Sequence, residues 1–292
     1  MPAMSPATVS CMEDFGPLVS AEWLADNLDS VHLFDSRSYL DGRSAPEAFL
    51  QGHLPGAIFV SLDDDLSAIA SQPGGRHPFP TPTAFAEAMG RLGYAGARPA
   101  VIYDDVGGGM AARLWFMLTL LDIPAAVLDG GMHAWHGELE SGLVSPVPAI
   151  FEEEPWPSDR LINADEVADR IEAGGVVLDA RNTSRFMGKP NRIDPRFGHV
   201  PGAINLAWED NIDDLTGLML SVEELRHRFV EVLESPDGGP QPAAYCGSGV
   251  TACHDLLALR MLGVEADLYV GSWSEWGADE SRPIEADVSD NA

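Results

Sequence analysis

The chain repeats itself, and that repeat limits its fold more than any other feature. Val31-His32-Leu33-Phe34-Asp35-Ser36-Arg37 returns as Val176-Val177-Leu178-Asp179-Ala180-Arg181. Gly52-His53-Leu54-Pro55-Gly56-Ala57-Ile58 returns as Gly198-His199-Val200-Pro201-Gly202-Ala203-Ile204. Ala100-Val101-Ile102-Tyr103-Asp104 returns as Pro242-Ala243-Ala244-Tyr245-Cys246, and Gly130-Gly131-Met132-His133-Ala134-Trp135 as Gly271-Ser272-Trp273-Ser274-Glu275-Trp276. Four matches in the same order at a nearly constant offset indicate two copies of one folding unit. Within each half, short apolar strands (Val31–Phe34, Val101–Tyr103, Ala125–Leu128, Val176–Leu178, Ala266–Tyr269) alternate with helical patterns. The helices are expected at Ser20–Leu28, Thr83–Leu92, Met110–Leu121, Ala164–Ala173 and Val222–Leu233. This alternation predicts an α/β protein in which each half is a parallel sheet flanked by helices. The 292 residues suffice for two such domains. The expected boundaries are 1–145 and 159–292, joined by a linker at 146–158 that Pro146, Pro148, Pro155 and Pro157 keep extended.

Charge and cysteine usage narrow the function. The net charge of −29 argues against a nucleic-acid partner, which needs a basic face. It also means that any site for an anion must be locally basic, and apart from Lys189 the basic residues are all arginine. The longest apolar run, Leu114–Leu121, is too short to cross a bilayer, so no membrane role is expected. The stretch from Met1 to Gly16 lacks the basic start and apolar core of a secretory signal. Three widely spaced cysteines make neither a disulfide framework nor a zinc site, which points to the reducing cytoplasm.

The two halves differ at one chemically decisive position. In the second half an apolar strand ends in Cys246, followed by Gly247-Ser248-Gly249-Val250-Thr251-Ala252 and then a helical pattern. A strand, a tight loop and a helix N-terminus turn successive backbone N–H groups toward a common point and favour an anion there. Thiols in such surroundings are the ones that ionise and act as nucleophiles. Cys253, on the following helix, and Cys11 read instead as ordinary small hydrophobes. The first half has Asp104 where the second has Cys246. A carboxylate cannot carry sulfur, so the first half is expected to be non-catalytic. His53 and His199 precede the same Pro-Gly turn in both halves, active and inactive alike, and read as turn-packing residues.

These residues resemble the tandem-domain rhodanese family of sulfurtransferases over nearly the whole chain, and the loop Cys246-Gly247-Ser248-Gly249-Val250-Thr251 is similar to that of the 3-mercaptopyruvate branch. Thiosulfate-preferring members carry charged, typically basic residues where this chain has Gly247 and Ser248. The resemblance implies a ping-pong reaction without metal or organic cofactor. Cys246 takes a sulfur atom from a small anionic donor as a persulfide and passes it to a thiol acceptor such as thioredoxin, or to cyanide. It implies that Arg185 binds the donor together with a second arginine before Gly198, for which Arg192 is preferred and Arg196 competes. The amides of Gly247, Gly249, Val250 and Thr251 hold the anion. It further implies a Ser–His–Asp relay of Ser248, His77 and Asp63. In this chain Gly74-Gly75-Arg76 is inserted before the histidine, and Asp64 and Asp65 compete with Asp63.

Three other functions are compatible with parts of this pattern. A phosphatase using a cysteine loop needs an arginine where this chain has Ala252. A protein-to-protein persulfide relay would use Cys246 without turning over a small donor. A thiosulfate-preferring enzyme would select its donor through arginines outside the loop.

Overall fold

The computed structural model describes residues 15–71, 73–234 and 239–286, so Cys11 lies outside the described residues. The chain divides into two compact units. One comprises residues 1–66, 81–155 and 214–218, the other 67–80, 156–213 and 219–292. The first unit runs β1 (Leu18–Val19), α1 (Ala21–Asn27), β2 (His32–Asp35), α2 (Ala45–Gln51), β3 (Ile58–Phe59), α3 (Pro82–Arg91), β4 (Ala100–Tyr103), α4 (Ala111–Leu120), β5 (Ala125–Leu128) and α5 (Gly131–Ala134). Its five strands pair in the order β1-β5-β4-β2-β3, every pair parallel. The second unit runs β6 (Leu161–Ile162), α6 (Ala164–Glu172), β7 (Val177–Asp179), α7 (Thr183–Phe186), β8 (Ile204–Asn205), α8 (Val222–Arg228), α9 (Val230–Leu233), β9 (Ala243–Tyr245), α10 (Ala252–Met261), β10 (Asp267–Tyr269) and α11 (Ser272–Trp276). Its strands pair in the same pattern, β6-β10-β9-β7-β8, again all parallel.

Sequence reasons are visible in each element. The central strands β4 and β9 are buried along their whole length, as strands covered on both faces must be, and are correspondingly apolar. Helix α6 starts at a capping box in which Asn163 and Glu166 satisfy each other's backbone N–H groups. Ser221 and Glu224 do the same for α8. The helix expected over Val222–Leu233 is broken at Phe229, leaving α8 and α9. The two-residue strands β1, β3, β6 and β8 are too short to show a periodicity in sequence.

The repeated motifs become the same internal brace in both units. Asp35 at the end of β2 takes a bidentate pair from Arg37, whose NH2 also donates to the Gly52 carbonyl at 2.8 Å. Asp179 at the end of β7 pairs with Arg181, which donates to the Gly198 carbonyl at 2.7 Å. His53 stacks on Phe49 with its Nδ1 at the Phe49 carbonyl, and His199 stacks on Phe186 with its Nδ1 at the Phe186 carbonyl. Both histidines are therefore packing residues. The proline-rich stretch is anchored to the first unit: Ala149 N–H donates to the Gly90 carbonyl, and Phe151 packs edge-on against Phe85.

Residues 67–80 precede this stretch in sequence yet belong to the second unit. Gly74 N–H donates to Glu275, and Arg76 N–H donates to Ser274 Oγ at 3.0 Å. Gly75 has φ +78°, and a Cβ there would lie 2.5 Å from both the Gly271 carbonyl oxygen and Ser274 Oγ. Only glycine fits that close approach.

Candidate active site

Strand β9 delivers Cys246 to the start of a loop whose backbone is fastened to α11. Cys246 N–H donates to Ser272 Oγ at 3.1 Å. The carbonyls of Cys246 and Gly247 accept from the N–H groups of Trp273 and Ser274, each at 3.0 Å. In a trans peptide the following N–H points the opposite way, so the amides of Gly247 and Ser248 are turned away from α11. Gly249 takes φ +74° to close the loop before α10. Cys246 is 2% and Ser248 7% exposed, and Val250 is also buried. Cys246 is a free thiol, as is Cys253, whose Sγ faces the Gly249 carbonyl.

Four sequence-predicted residues meet around this loop. His77 Nδ1 lies 2.8 Å from Ser248 Oγ, so the imidazole and hydroxyl can exchange a proton. Gly247 lies against Arg185: a Cβ at 247 would sit 2.9 Å from an Arg185 NH2 nitrogen. Arg185 comes from the short helix α7 and forms a fork to Asp194, with Nε to Oδ2 at 2.9 Å and NH2 to Oδ1 at 2.5 Å. Asp194 also accepts from Asn191 and is shared with Arg181. Burial alone would raise the Asp194 carboxyl, but the hydrogen bonds and charge of Arg185, with Arg181, outweigh it and hold the group below its ordinary range.

The arginine that spacing suggested as the second one lies outside the contacts made at the loop. Arg192 is exposed and makes no hydrogen bond or ion pair among the described residues. Arg196 donates to the carbonyls of Gly277, Trp276, Asp279 and Arg282, and so fastens the segment after α11. The residue that the structure adds beside Gly247 is Arg76, whose NH2 lies 2.9 Å from the same notional Cβ. Its NH1 donates to the Ile193 carbonyl at 3.1 Å. Burial and the adjacent Arg185 charge lower the proton affinity of Arg76, while the nearby Cys246 opposes this. The loop is thus neutral in sequence but basic in its surroundings. Sequence reading noted Arg76 only as part of an insertion; its position immediately before His77 was the available signal.

Asp63 belongs to the first unit, in the turn after β3, with an exposed side chain. The two carboxylates that compete with it serve that turn. Asp65 accepts from the Ser61 N–H and pairs with Arg91, and Asp64 accepts from Ser61 Oγ. Thr251 is half-buried at the start of α10. Trp273 is fully buried under Arg181, whose guanidinium lies 4.4 Å above its ring.

The corresponding loop of the first unit is closed by its own side chain. Asp104 Oδ1 accepts from the N–H groups of Val106 and Gly108, and Oδ2 from those of Met110 and Ala111, at 2.7–2.9 Å. Burial raises the Asp104 carboxyl above its ordinary range, against the downward pull of these four donors. With every bond accepted, neither oxygen has an acceptor to which a proton could be given. The nest of amides that could hold an external anion is filled by the chain's own carboxyl group.

The rhodanese-like domain is matched twice in this chain, at residues 20–138 and 163–279. The chain is 38% identical over 278 residues to a Mycobacterium tuberculosis protein with the provisional name thiosulfate sulfurtransferase, spanning 91% of this chain and 96% of that one. It is 36% identical over 279 residues to the 3-mercaptopyruvate sulfurtransferase of Homo sapiens, spanning 89% and 91%. Among solved structures, the 3-mercaptopyruvate sulfurtransferase from Leishmania major superposes with a TM-score of 0.83 at 30% identity, covering 94% of this chain and 77% of that one.

Proposed function

This chain belongs to the rhodanese-like family and is a sulfurtransferase, and from that premise we propose that it moves sulfur from 3-mercaptopyruvate through a persulfide on Cys246. The Cys246 thiolate attacks the donor sulfur and a sulfur–sulfur bond forms. The carbon–sulfur bond breaks, its electron pair passes to the carbon, and the enolate of pyruvate results. The proton of the donor thiol finally resides on that carbon. His77 and Ser248, 2.8 Å apart, pass it. Asp63 keeps the part in this relay that the family resemblance gives it. The outward-turned amides of Gly247 and Ser248 and the loop closed by Gly249, Val250 and Thr251 stabilise the anionic persulfide. In the second half-reaction an acceptor thiolate attacks the outer sulfur and Cys246 leaves as thiolate.

The observation that carries the reading is the His77–Ser248 contact beside Cys246: transfer from thiosulfate releases sulfite and needs no proton on carbon, whereas an enolate product does. Two guanidinium groups at Gly247 support thiosulfate as a second donor. The acceptor is a protein dithiol such as thioredoxin, and the reducing cytoplasm is the matching compartment. No nucleic acid enters the reading, consistent with a net charge of −29. No helix among the described residues is long and apolar enough to cross a membrane.

The test is initial rates with 3-mercaptopyruvate and thiosulfate at matched acceptor, with Cys246→Ser as control. The expected result is a higher kcat/KM for 3-mercaptopyruvate, a mass increase of one sulfur on the donor-treated protein, and neither signal in Cys246→Ser. Transfer by Cys246→Ser would refute the covalent route. Thiosulfate preference would refute the donor assignment.

A further inference from the structure

The geometry points to Arg76 as a donor-binding residue that, with Arg185, forms the subsite for the donor's anionic group. This deepens the sulfur-donor reading and rests on it. Arg185 and Arg76 each place an NH2 nitrogen 2.9 Å from the same point above Gly247, the residue after the nucleophile. The two nitrogens therefore lie within about 6 Å of each other, where like charges repel unless an anion joins them.

The existing carboxylates do not supply that anion for Arg76. Arg181 is held by Asp179, and Asp194 is divided between Arg181 and Arg185. Glu209 is exposed and within electrostatic reach of Arg185, but ion-pairs with neither arginine. Arg76 itself donates only to a carbonyl and has no carboxylate in an ion pair among the described residues. A half-buried guanidinium with no carboxylate in an ion pair, next to a second one and within electrostatic reach of Cys246 and of the Asp194 carboxylate that Arg181 and Arg185 already share, is a site for a small anion. A carboxylate or sulfonate bound there would present the neighbouring sulfur of a short donor to the thiol. Glycine at 247 lets both guanidinium ends approach the loop: a Cβ there would have to push both of them away.

The position is imposed by the docked segment 67–80. Gly75, Gly74 and the Arg76 amide fix it to Gly271, Glu275 and Ser274, so Arg76 and His77 enter the site together.

The experiment compares full-length Arg76→Met, Arg76→Lys and Arg192→Met with the surface control Arg226→Met. It reads KM and kcat for 3-mercaptopyruvate and thiosulfate, and pyruvate binding to the Cys246→Ser protein by calorimetry. Loss of one charge-assisted contact predicts a KM roughly 10–100-fold higher for Arg76→Met, with kcat within about threefold and pyruvate binding weakened in step. Arg76→Lys is expected to recover part of the loss and Arg226→Met to behave as the parent. Unchanged KM and pyruvate binding in Arg76→Met overturn the inference, as does a loss confined to kcat, which would mean that Arg76 serves the thiolate instead. A KM rise in Arg192→Met but not in Arg76→Met returns the subsite to Arg192. A parent protein that turns over neither donor, yet binds pyruvate through Arg76, defeats the donor reading and leaves the anion subsite standing.

Discussion

Replacing Asp104 by asparagine separates the scaffold from the chemistry. The two carboxylate oxygens accept four N–H bonds, two each. Asparagine keeps one accepting oxygen and turns an NH2 group toward the other pair of donors. Whichever way the amide is placed, one buried N–H (Gly108 or Ala111) and one partly exposed N–H (Val106 or Met110) lose their acceptor. A buried unsatisfied donor costs about 1–3 kcal/mol, and the partly exposed one less because water reaches it. The sum is about 2–4 kcal/mol, a large fraction of a typical domain's stability. At about 2–4 °C per kcal/mol for a domain in this size range, the first unit should melt roughly 5–15 °C lower. Scanning calorimetry reads that shift. Sulfur transfer at 25 °C, well below the transition, should persist because the first unit, with Asp63, is still folded there, and Cys246, Ser248, His77 and Arg185 belong to the other unit. A melting change below about 2 °C would refute the filled-nest account. Abolished transfer in a protein still folded at the assay temperature would give the first-unit loop a catalytic part that the account denies.

The remaining predictions concern the second unit. Ser248→Ala and His77→Gln should each lower kcat with 3-mercaptopyruvate by roughly 10²–10⁴-fold, the usual range for a lost general acid–base group. The double variant should lose little more than either single one, because the two act as one pair; additive losses in stopped-flow pyruvate release would break the pair into independent roles. Asp255 on α10 has its carboxyl pushed up to about 8, chiefly by burial against the opposing hydrogen bond of Asn211, and its Oδ2 finds no hydrogen-bond partner among the described residues. The folded state then holds a proton that the unfolded state releases near 3.8, so this group's contribution to stability is complete at low pH and is lost as pH rises toward 8. Asp255→Asn should flatten that decline, with melting curves of parent and variant diverging between about pH 4 and 8; parallel curves would show that Asp255 does not titrate in this window.

Much of the site could be read from the chain because it is written locally and twice. Cys246 stands at the end of a strand whose duplicate ends in Asp104, and the glycines that bend the loop around it are its immediate neighbours. Ser248 follows by two residues, and His77 stands beside prolines in a short motif. The strands and helices followed from apolar runs and capping residues, except that Phe229 interrupts a pattern whose periodicity runs straight through it.

The sequence by itself determined the duplication, the parallel α/β character of each half, the cysteine proposed as nucleophile and the loss of the thiol in the first half, because each depends on residue types a few positions apart. The tertiary structure alone decided which arginines stand at the thiol. Spacing nominated Arg192, but its side chain is exposed, while Asp194 from the same stretch turns inward and holds Arg185. Arg76 reaches Gly247 only because Gly75 lets residues 67–80 dock against Gly271 and Ser274, nearly two hundred residues further along. A one-dimensional pattern records who is adjacent along the chain; a half-buried charge is placed by the packing of segments that are not, and by which carboxylates those segments have already taken.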